Sequence, residues 1–282
     1  MTSYLFVPGD RPDRMEKALS SGADVLILDL EDSVAPEKKA EARQAVAGFL
    51  AQPRKLSLFV RINPLKAEGE EDLKAVAPHA PAAIVLPKAE GAASVTELDD
   101  RLTALGDTKT GILPIATETP RAVFALGSYV GTPRLTGLTW GAEDLPAAIG
   151  ALRAREEDGR FTPPYEMLRS LTLFAAHAAG VAAIETVYPD FRDEAGLAAF
   201  AVRARRDGFT GMLAIHPAQI SVINAAFLPT PEELTHARRV VAAFAQGAQS
   251  GAVQLDGKML DAPHLTSAKR LLDAAAKTEK PR

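Results

Sequence analysis

The sequence predicts an α/β fold, a (β/α)8 TIM barrel with extra C-terminal helices. Three observations predict it. Eight short apolar runs alternate with longer amphipathic stretches, the pattern of parallel strands joined by crossover helices. Eight such repeats suit a closed barrel better than an open sheet. Charged residues, Arg61, Glu118 and Asp144, sit at the tails of three of the runs. Charged groups are costly to bury unless paired or bound to an ion. A barrel gathers the carboxyl ends of its strands on one face, where such groups converge.

The eight predicted strands are 4–7, 25–28, 56–62, 83–86, 111–115, 135–140, 182–185 and 211–215. Most are nearly continuous apolar runs, as strands covered on both faces should be. Between them the predicted helices are 13–21, 36–50, 70–77, 92–105, 120–126, 164–179 and 194–207. Asp13 and Glu16 have the spacing of a capping box for the first. Thr119-Pro120 and Thr162-Pro163-Pro164 place proline in a first helical turn, where its missing N–H costs nothing. Residues 141–163 form a long connection, and long loops on this face tend to carry function.

After the eighth strand come three more helical stretches, 217–227, 230–249 and 262–277, where a barrel needs one. The division expected is a catalytic barrel over 1–228 and a helical extension over 229–282, packed on the barrel or on a neighbouring subunit. The tail 277–282 is polar and expected to fray.

Composition narrows the function. The chain has 282 residues, 47% hydrophobic and 24% charged, which is ordinary for a globular protein with a large core. A net charge of -4 gives no reason to expect nucleic acid or an anionic membrane as partner. With no cysteine, disulfides, thiolate metal sites and cysteine nucleophiles are excluded. There is no basic, apolar leader at the start and no bilayer-length apolar run, so the expected location is cytoplasmic. Neither glycine-rich nucleotide fingerprint, GxGxxG or GxxxxGK[ST], occurs.

Glu118 and Asp144 are candidate ligands for a hard divalent cation such as Mg²⁺. That ion needs only one or two protein carboxylates, with water and substrate filling its other positions. Each carboxylate also stands where it can cap the helix that follows. Arg61 offers a planar fork to a carboxylate or carbonyl oxygen, or pairs with Glu118 or Asp144. Asp29, Glu31 and Asp32 either cap the helix near Pro36 or accept hydrogen bonds from metal-bound water. Arg11, Arg14 and Lys17 make a basic helix start that suits an anion such as phosphate, or a solvated face. His216 follows the eighth strand and reads as a packing residue. Asp261, just before the last helical stretch, reads as its N-cap.

Taken in order, the segments Tyr4-Leu5-Phe6-Val7-Pro8-Gly9, Asp29-Leu30-Glu31-Asp32-Ser33-Val34, Val60-Arg61-Ile62-Asn63 and Leu86-Pro87-Lys88 are familiar. So are Glu118-Thr119, Gly141-Ala142-Glu143-Asp144-Leu145 and Ala214-Ile215-His216-Pro217. Together they resemble the HpcH/HpaI aldolase superfamily, in the branch around the citrate lyase beta subunit and the malyl-CoA and citramalyl-CoA lyases. The resemblance runs from Tyr4 to about Leu272. It implies a Mg²⁺-dependent barrel enzyme, assembled as a homotrimer or a dimer of trimers. It implies Glu118 and Asp144 as metal ligands, with Glu118 also near substrate, and Arg61 as the arginine that binds substrate. It implies Asp261 as an acid–base group acting on the acetyl unit, in a segment that lies over a neighbouring subunit's site. That replaces the capping role for Asp261. Arg11, Arg14 and Lys17 lie where relatives approach the CoA or carrier arm. The implied reaction is carbon–carbon cleavage of a 3-hydroxy-3-carboxy acyl thioester to a 2-oxo acid and an acetyl thioester. Malate-synthase or malyl-CoA thioesterase chemistry on the same enolate, or a non-catalytic acyl-CoA-binding subunit, are the alternatives.

Overall fold

The computed structural model describes residues 1–246 and 251–278. They form two compact units, Met1–Phe227 and the residues from Leu228 onward. Among the described residues no helix is long and apolar enough to cross a membrane.

The first unit is a barrel of eight parallel strands. These are β1 (Ser3–Pro8), β2 (Val25–Asp29), β3 (Ser57–Arg61), β4 (Ala83–Leu86), β5 (Gly111–Pro114), β6 (Gly137–Thr139), β7 (Ala182–Glu185) and β8 (Gly211–Ala214). All eight fall within a residue or two of the predicted runs. Continuous ladders run in the order β5-β4-β3-β2-β1-β8-β7-β6. The remaining gap, between β5 and β6, is closed by isolated parallel bridges, Ile112 to Leu135 and Ile115 to Thr139. Closure leaves no unpaired edge.

Side chains alternate across the strands. Val25 and Ile27 of β2 join Tyr4, Phe59, Val85, Leu113, Ile184 and Leu213 in a cluster that fills the barrel. Leu26 and Leu28 belong instead to the cluster beneath the helices. Each such buried aliphatic side chain contributes about 1.5–3 kcal/mol by leaving water.

The helices of this unit are α1 (Pro12–Ala18), α2 (Lys39–Leu50), α3 (Gly69–Val76), α4 (Ala92–Ala104), α5 (Pro120–Ala125), α6 (Asp144–Ile149), α7 (Pro163–Ala179), α8 (Glu194–Asp207) and α9 (Gln219–Phe227). α2 buries Ala42, Val46 and Phe49, one stripe at helical spacing. Two expectations fail locally. The capping box at Asp13 does not form, because Pro12 starts α1 one residue earlier with Arg11 at the N-cap. Asp13 then pairs with Arg11 at 3.2 Å, and Glu16 with Arg54 at 2.7 Å. The 141–163 connection is not irregular throughout, since its first part winds into α6.

The second unit contains α10 (Pro231–Gln246), β9 (Ala252–Leu255), β10 (Lys258–Asp261) and α11 (Ala262–Thr278). Residues 247–249, also predicted helical, lie outside the described residues, as do residues 279–282 of the tail; Lys277 and Thr278 belong to α11. The antiparallel β9–β10 hairpin was not anticipated. It turns at Asp256-Gly257, both with positive φ (50° and 76°), as a two-residue turn matched to strand twist requires.

Candidate active site

Barrel register builds the first half of the site. Asp29 ends β2 and Arg61 ends β3, and the two are direct partners across the ladder. The pair is bidentate, with Nε to Oδ1 and Nη2 to Oδ2 both at 2.7 Å. Asp29 also accepts the backbone N–H of Glu31 (2.9 Å) and of Ser33 (3.1 Å). The expected cap on the helix near Pro36 is therefore not made by this segment. A short 3₁₀ turn starts there behind Ala35, without a side-chain cap. Nor does Arg61 pair with Glu118 or Asp144. Its other contacts are Glu31 and Asp32, through Nη1 at 3.1 and 3.2 Å. Because Asp29 sits opposite it in register, Asp29 wins the guanidinium. Burial alone would raise the pKa of Asp29, but the hydrogen bond and charge of Arg61 outweigh it, and the carboxyl is held below its ordinary range.

The second half comes from β4, β5 and β6. Thr119 caps α5 by accepting the Ala122 N–H at 3.2 Å. Glu118 is thereby released from capping and is buried in the loop between β5 and α5, past the strand end expected for it. Room for it is made by Gly141, where an added Cβ would lie 2.9 Å from Glu118 Cγ and 3.4 Å from Ile115 Cγ2. Asp144 opens α6, with Glu143 at the N-cap, and is half-exposed. Burial drives Glu118 up to about 8 and Glu31 up to about 7. Such a cluster of carboxylates needs a cation.

Lys88 supplies one charge; the sequence offered it within the segment Leu86-Pro87-Lys88 but gave it no role. It follows β4 with φ of 51°, a left-handed conformation that costs a non-glycine residue about 1–2 kcal/mol. From there its backbone N–H donates to Glu118 Oε2 and its Nζ donates to Asp144 Oδ1 at 3.0 Å, with Glu31 Oε1 at 3.4 Å. Burial disfavours the ammonium, but Glu118, Asp144 and Glu31 outweigh that and raise its pKa. The Leu30–Glu31 turn rests on another unsuspected lysine. Buried Lys39 donates to both carbonyls, at 2.7 and 2.6 Å. Asn63 donates to the Leu30 carbonyl (2.9 Å) and to Asp72 (2.7 Å).

Asp29, Asp32, Arg61, Glu118 and Asp144 line one cavity of about 360 Å³ at the carboxyl ends of the strands. Apolar walls come from Phe6, Ile115, Trp140 and Leu213. Trp140 is fixed by Glu185, which accepts its indole N–H at 2.6 Å while Arg169 donates to the other carboxylate oxygen, also at 2.6 Å. Arg11, Arg14, Lys17 and His216 line an adjoining cavity of about 720 Å³ that shares Phe6, Pro8 and Ile215 with the first. His216 stacks on Phe191, ring centroids 4.5 Å apart. Asp261 lies in the second unit, at the end of β10 directly before α11, exposed, with Oδ1 2.5 Å from His264 Nδ1.

Two features of the donor set fit a hard divalent cation. Buried Glu31 Oε2 lacks a hydrogen-bond partner, although Arg61 is within ion-pair range. Asp144 is bonded to the Lys88 ammonium and Glu118 to the same residue's main-chain N–H, so one positive charge serves both carboxylates, and a divalent ion can exceed it. Among the described residues no three His, Cys, Asp or Glu side chains are grouped to hold a metal. The remaining positions around an ion on Glu118 and Asp144 would fall to substrate and water, the usual arrangement for Mg²⁺.

Comparison with known proteins gives the family. The sequence pattern of the family described as HpcH/HpaI aldolase/citrate lyase matches residues 2–217. A citrate lyase subunit beta-like protein of Mycobacterium tuberculosis is 39% identical over 273 residues, covering 96% of this chain and 94% of the relative. A (3S)-malyl-CoA thioesterase of Cereibacter sphaeroides is 34% identical over 286 residues, covering 97% and 94%. The crystal structure of CitE from M. tuberculosis with magnesium, acetoacetate and coenzyme A superposes with a TM-score of 0.86 at 37% identity, covering 98% of both chains. A citrate lyase beta subunit from the same organism, complexed with oxaloacetate and magnesium, gives a TM-score of 0.72 at 37% identity, covering 80% of this chain and 96% of that one. By sequence and by fold, this chain belongs to the HpcH/HpaI aldolase/citrate lyase family, a family of carbon–carbon lyases.

Proposed function

We propose that the enzyme cleaves a 3-hydroxy-3-carboxy acyl thioester of the citryl, malyl or citramalyl type into a 2-oxo acid and an acetyl thioester. One observation carries the reading. Two carboxylates, Glu118 from the loop after β5 and Asp144 from the start of α6 after β6, and the guanidinium of Arg61 open on one cavity at the mouth of the barrel. Glu118 and Asp144 are the residues that would hold Mg²⁺. Bound there, the ion would supply Lewis-acid stabilisation for the negative charge on the deprotonated hydroxyl oxygen, which becomes the keto oxygen of the 2-oxo acid, and on the neighbouring carboxylate.

Arg61 binds those oxygens with N–H groups that Asp29 does not take, its Nη1 exchanging Glu31 and Asp32 for substrate, and Asp29 fixes its orientation. Phe6 packs against the guanidinium, 4.8 Å from its ring centroid, and limits water on that side. Loss of the hydroxyl proton to a base lets the carbon–carbon bond break, its electron pair passing to the α-carbon of the acetyl thioester. Asp261, supplied by a neighbouring copy in a homotrimer or dimer of trimers, delivers the proton that turns that carbon into a methyl group. Arg11, Arg14 and Lys17 meet the phosphates of CoA, or of the carrier arm, along the adjoining cavity. The setting proposed is the cytoplasm.

A second reading keeps the same enolate and adds thioester hydrolysis. It is favoured by the 34% identity, over nearly the whole chain, to a (3S)-malyl-CoA thioesterase. One experiment separates these readings and tests both. Citryl-CoA, malyl-CoA and citramalyl-CoA are supplied with Mg²⁺ or with excess chelator, and release of 2-oxo acid and of free CoA thiol is followed. Lyase activity releases 2-oxo acid without thiol, while hydrolysis releases thiol. Turnover that survives the chelator, or survives Glu118→Ala, defeats the metal-dependent reading.

A further inference from the structure

Lys88 sits where the proposed cation chemistry happens, yet the reaction as derived gives it no task. Three facts define it. Its backbone is held in a left-handed conformation (φ 51°) that a lysine adopts only when its surroundings impose it. Its amide anchors Glu118, and its ammonium is bonded to Asp144 at 3.0 Å. The same residue borders a separate cavity of about 430 Å³, on whose wall stand Glu90 and Glu97. The ammonium therefore has one carboxylate at hand on leaving Asp144, Glu31 Oε1, 3.4 Å away, while Glu90 and Glu97 are already paired with Arg121 and Arg101.

We propose that Lys88 is a positioning residue that holds Asp144 and Glu118 ready in the cation-free enzyme and is displaced from Asp144 when the divalent cation binds. An ammonium and a divalent ion cannot share Asp144 at contact distance without strong mutual repulsion. Lys88 thus stabilises the empty site and at the same time opposes its filling. The amide of Lys88 stays on Glu118 throughout, because it belongs to the main chain. This inference rests on the reading of Glu118 and Asp144 as the metal-holding pair.

The test is calorimetric titration of the purified protein with MgCl₂, alongside thermal unfolding in chelator and in excess Mg²⁺. The proteins are wild type, Lys88→Met, Lys88→Gln and, as a control for site occupancy, Glu118→Ala. Lys88→Met and Lys88→Gln keep the amide anchor but lose the charge. They are expected to bind Mg²⁺ more tightly, by roughly tenfold. They should also melt lower than wild type in chelator and gain more from Mg²⁺. A merely structural lysine would give the opposite sign of affinity change, because its loss would loosen the site. Mg²⁺ binding at wild-type strength or weaker in folded Lys88→Met and Lys88→Gln overturns the proposal. Wild-type protein that binds no Mg²⁺, or binds it equally well in Glu118→Ala, overturns the metal reading itself and this proposal with it.

Discussion

Asp29 holds Arg61 by both edges of one carboxylate, Oδ1 on Nε and Oδ2 on Nη2, each at 2.7 Å and across a single register of the β2–β3 ladder. The site arginine is therefore aimed by the barrel wall. Its direction is a property of strand pairing and not of a loop.

Asp29→Asn should show how much depends on that grip. The amide keeps the shape but turns a donor toward a donor. With Asp29 1% and Arg61 12% exposed, breaking the bidentate pair leaves a largely buried cation with Glu31 and Asp32 alone, a loss of about 1–3 kcal/mol in unfolding free energy. kcat/KM should fall by at least roughly tenfold, since Arg61 loses its orientation. Arg61→Lys should fail as well, because an ammonium keeps the charge but not the fork. Denaturant midpoints and 2-oxo acid binding by calorimetry check both. Variants that match wild type would remove Arg61 from the site.

The same pair sets an acid limit. The folded pKa of Asp29 is held below its unfolded value, so its contribution to stability is fully present above the ordinary aspartate pKa of about 4. It is lost as pH falls through the lower, folded pKa. A plot of unfolding free energy against pH should therefore drop below about pH 4 in wild type, and less steeply in Asp29→Asn.

Gly141→Ala should act on Glu118 without touching any charge. The new Cβ would stand 2.9 Å from Glu118 Cγ, closer than real carbons pack. Glu118 must shift, and Mg²⁺ affinity measured by titration should fall roughly tenfold or more while the circular dichroism spectrum is preserved. Unchanged affinity would mean that the site tolerates displacement of this carboxylate.

Asp261 is tested by mixing two inactive proteins, Glu118→Ala and Asp261→Ala, under conditions that let subunits exchange. If sites are completed between copies, some interfaces pair an intact Glu118 with an intact Asp261 and part of the activity returns. Mixed oligomers without activity would confine Asp261 to its own chain, or to the start of α11.

The eight strands were legible because covered parallel strands are written as unbroken apolar runs, and a charged residue closing such a run is conspicuous. Glu118, Asp144 and Arg61 stood out for that reason. Partners across the ladder did not. That Arg61 meets Asp29, and not Glu118 or Asp144, depends on register, which no local spacing records. Lys88 was hidden because its importance lies in one positive φ and one main-chain N–H, neither of which has a sequence period. Lys39 and Asn63 support the Leu30–Glu31 turn from 9 and 33 positions away. The β9–β10 hairpin did carry a signal, Asp256-Gly257, but its strands are short and mostly exposed, so the alternation that accompanies such a turn was faint.

The barrel is laced by full ladders everywhere except between β5 and β6, where two isolated bridges and the amide bonds of Ile112, Ala116 and Thr136 make the closure. Glu118 follows one of these strands and Asp144 the other. An ion gripped by both would act as a staple across the weakest seam in the wall. Occupancy of the site would then be read far from the chemistry, as slower exchange of the Ile112, Ala116 and Thr136 amides with solvent deuterium, and the enzyme would be stiffest when it is ready to turn over.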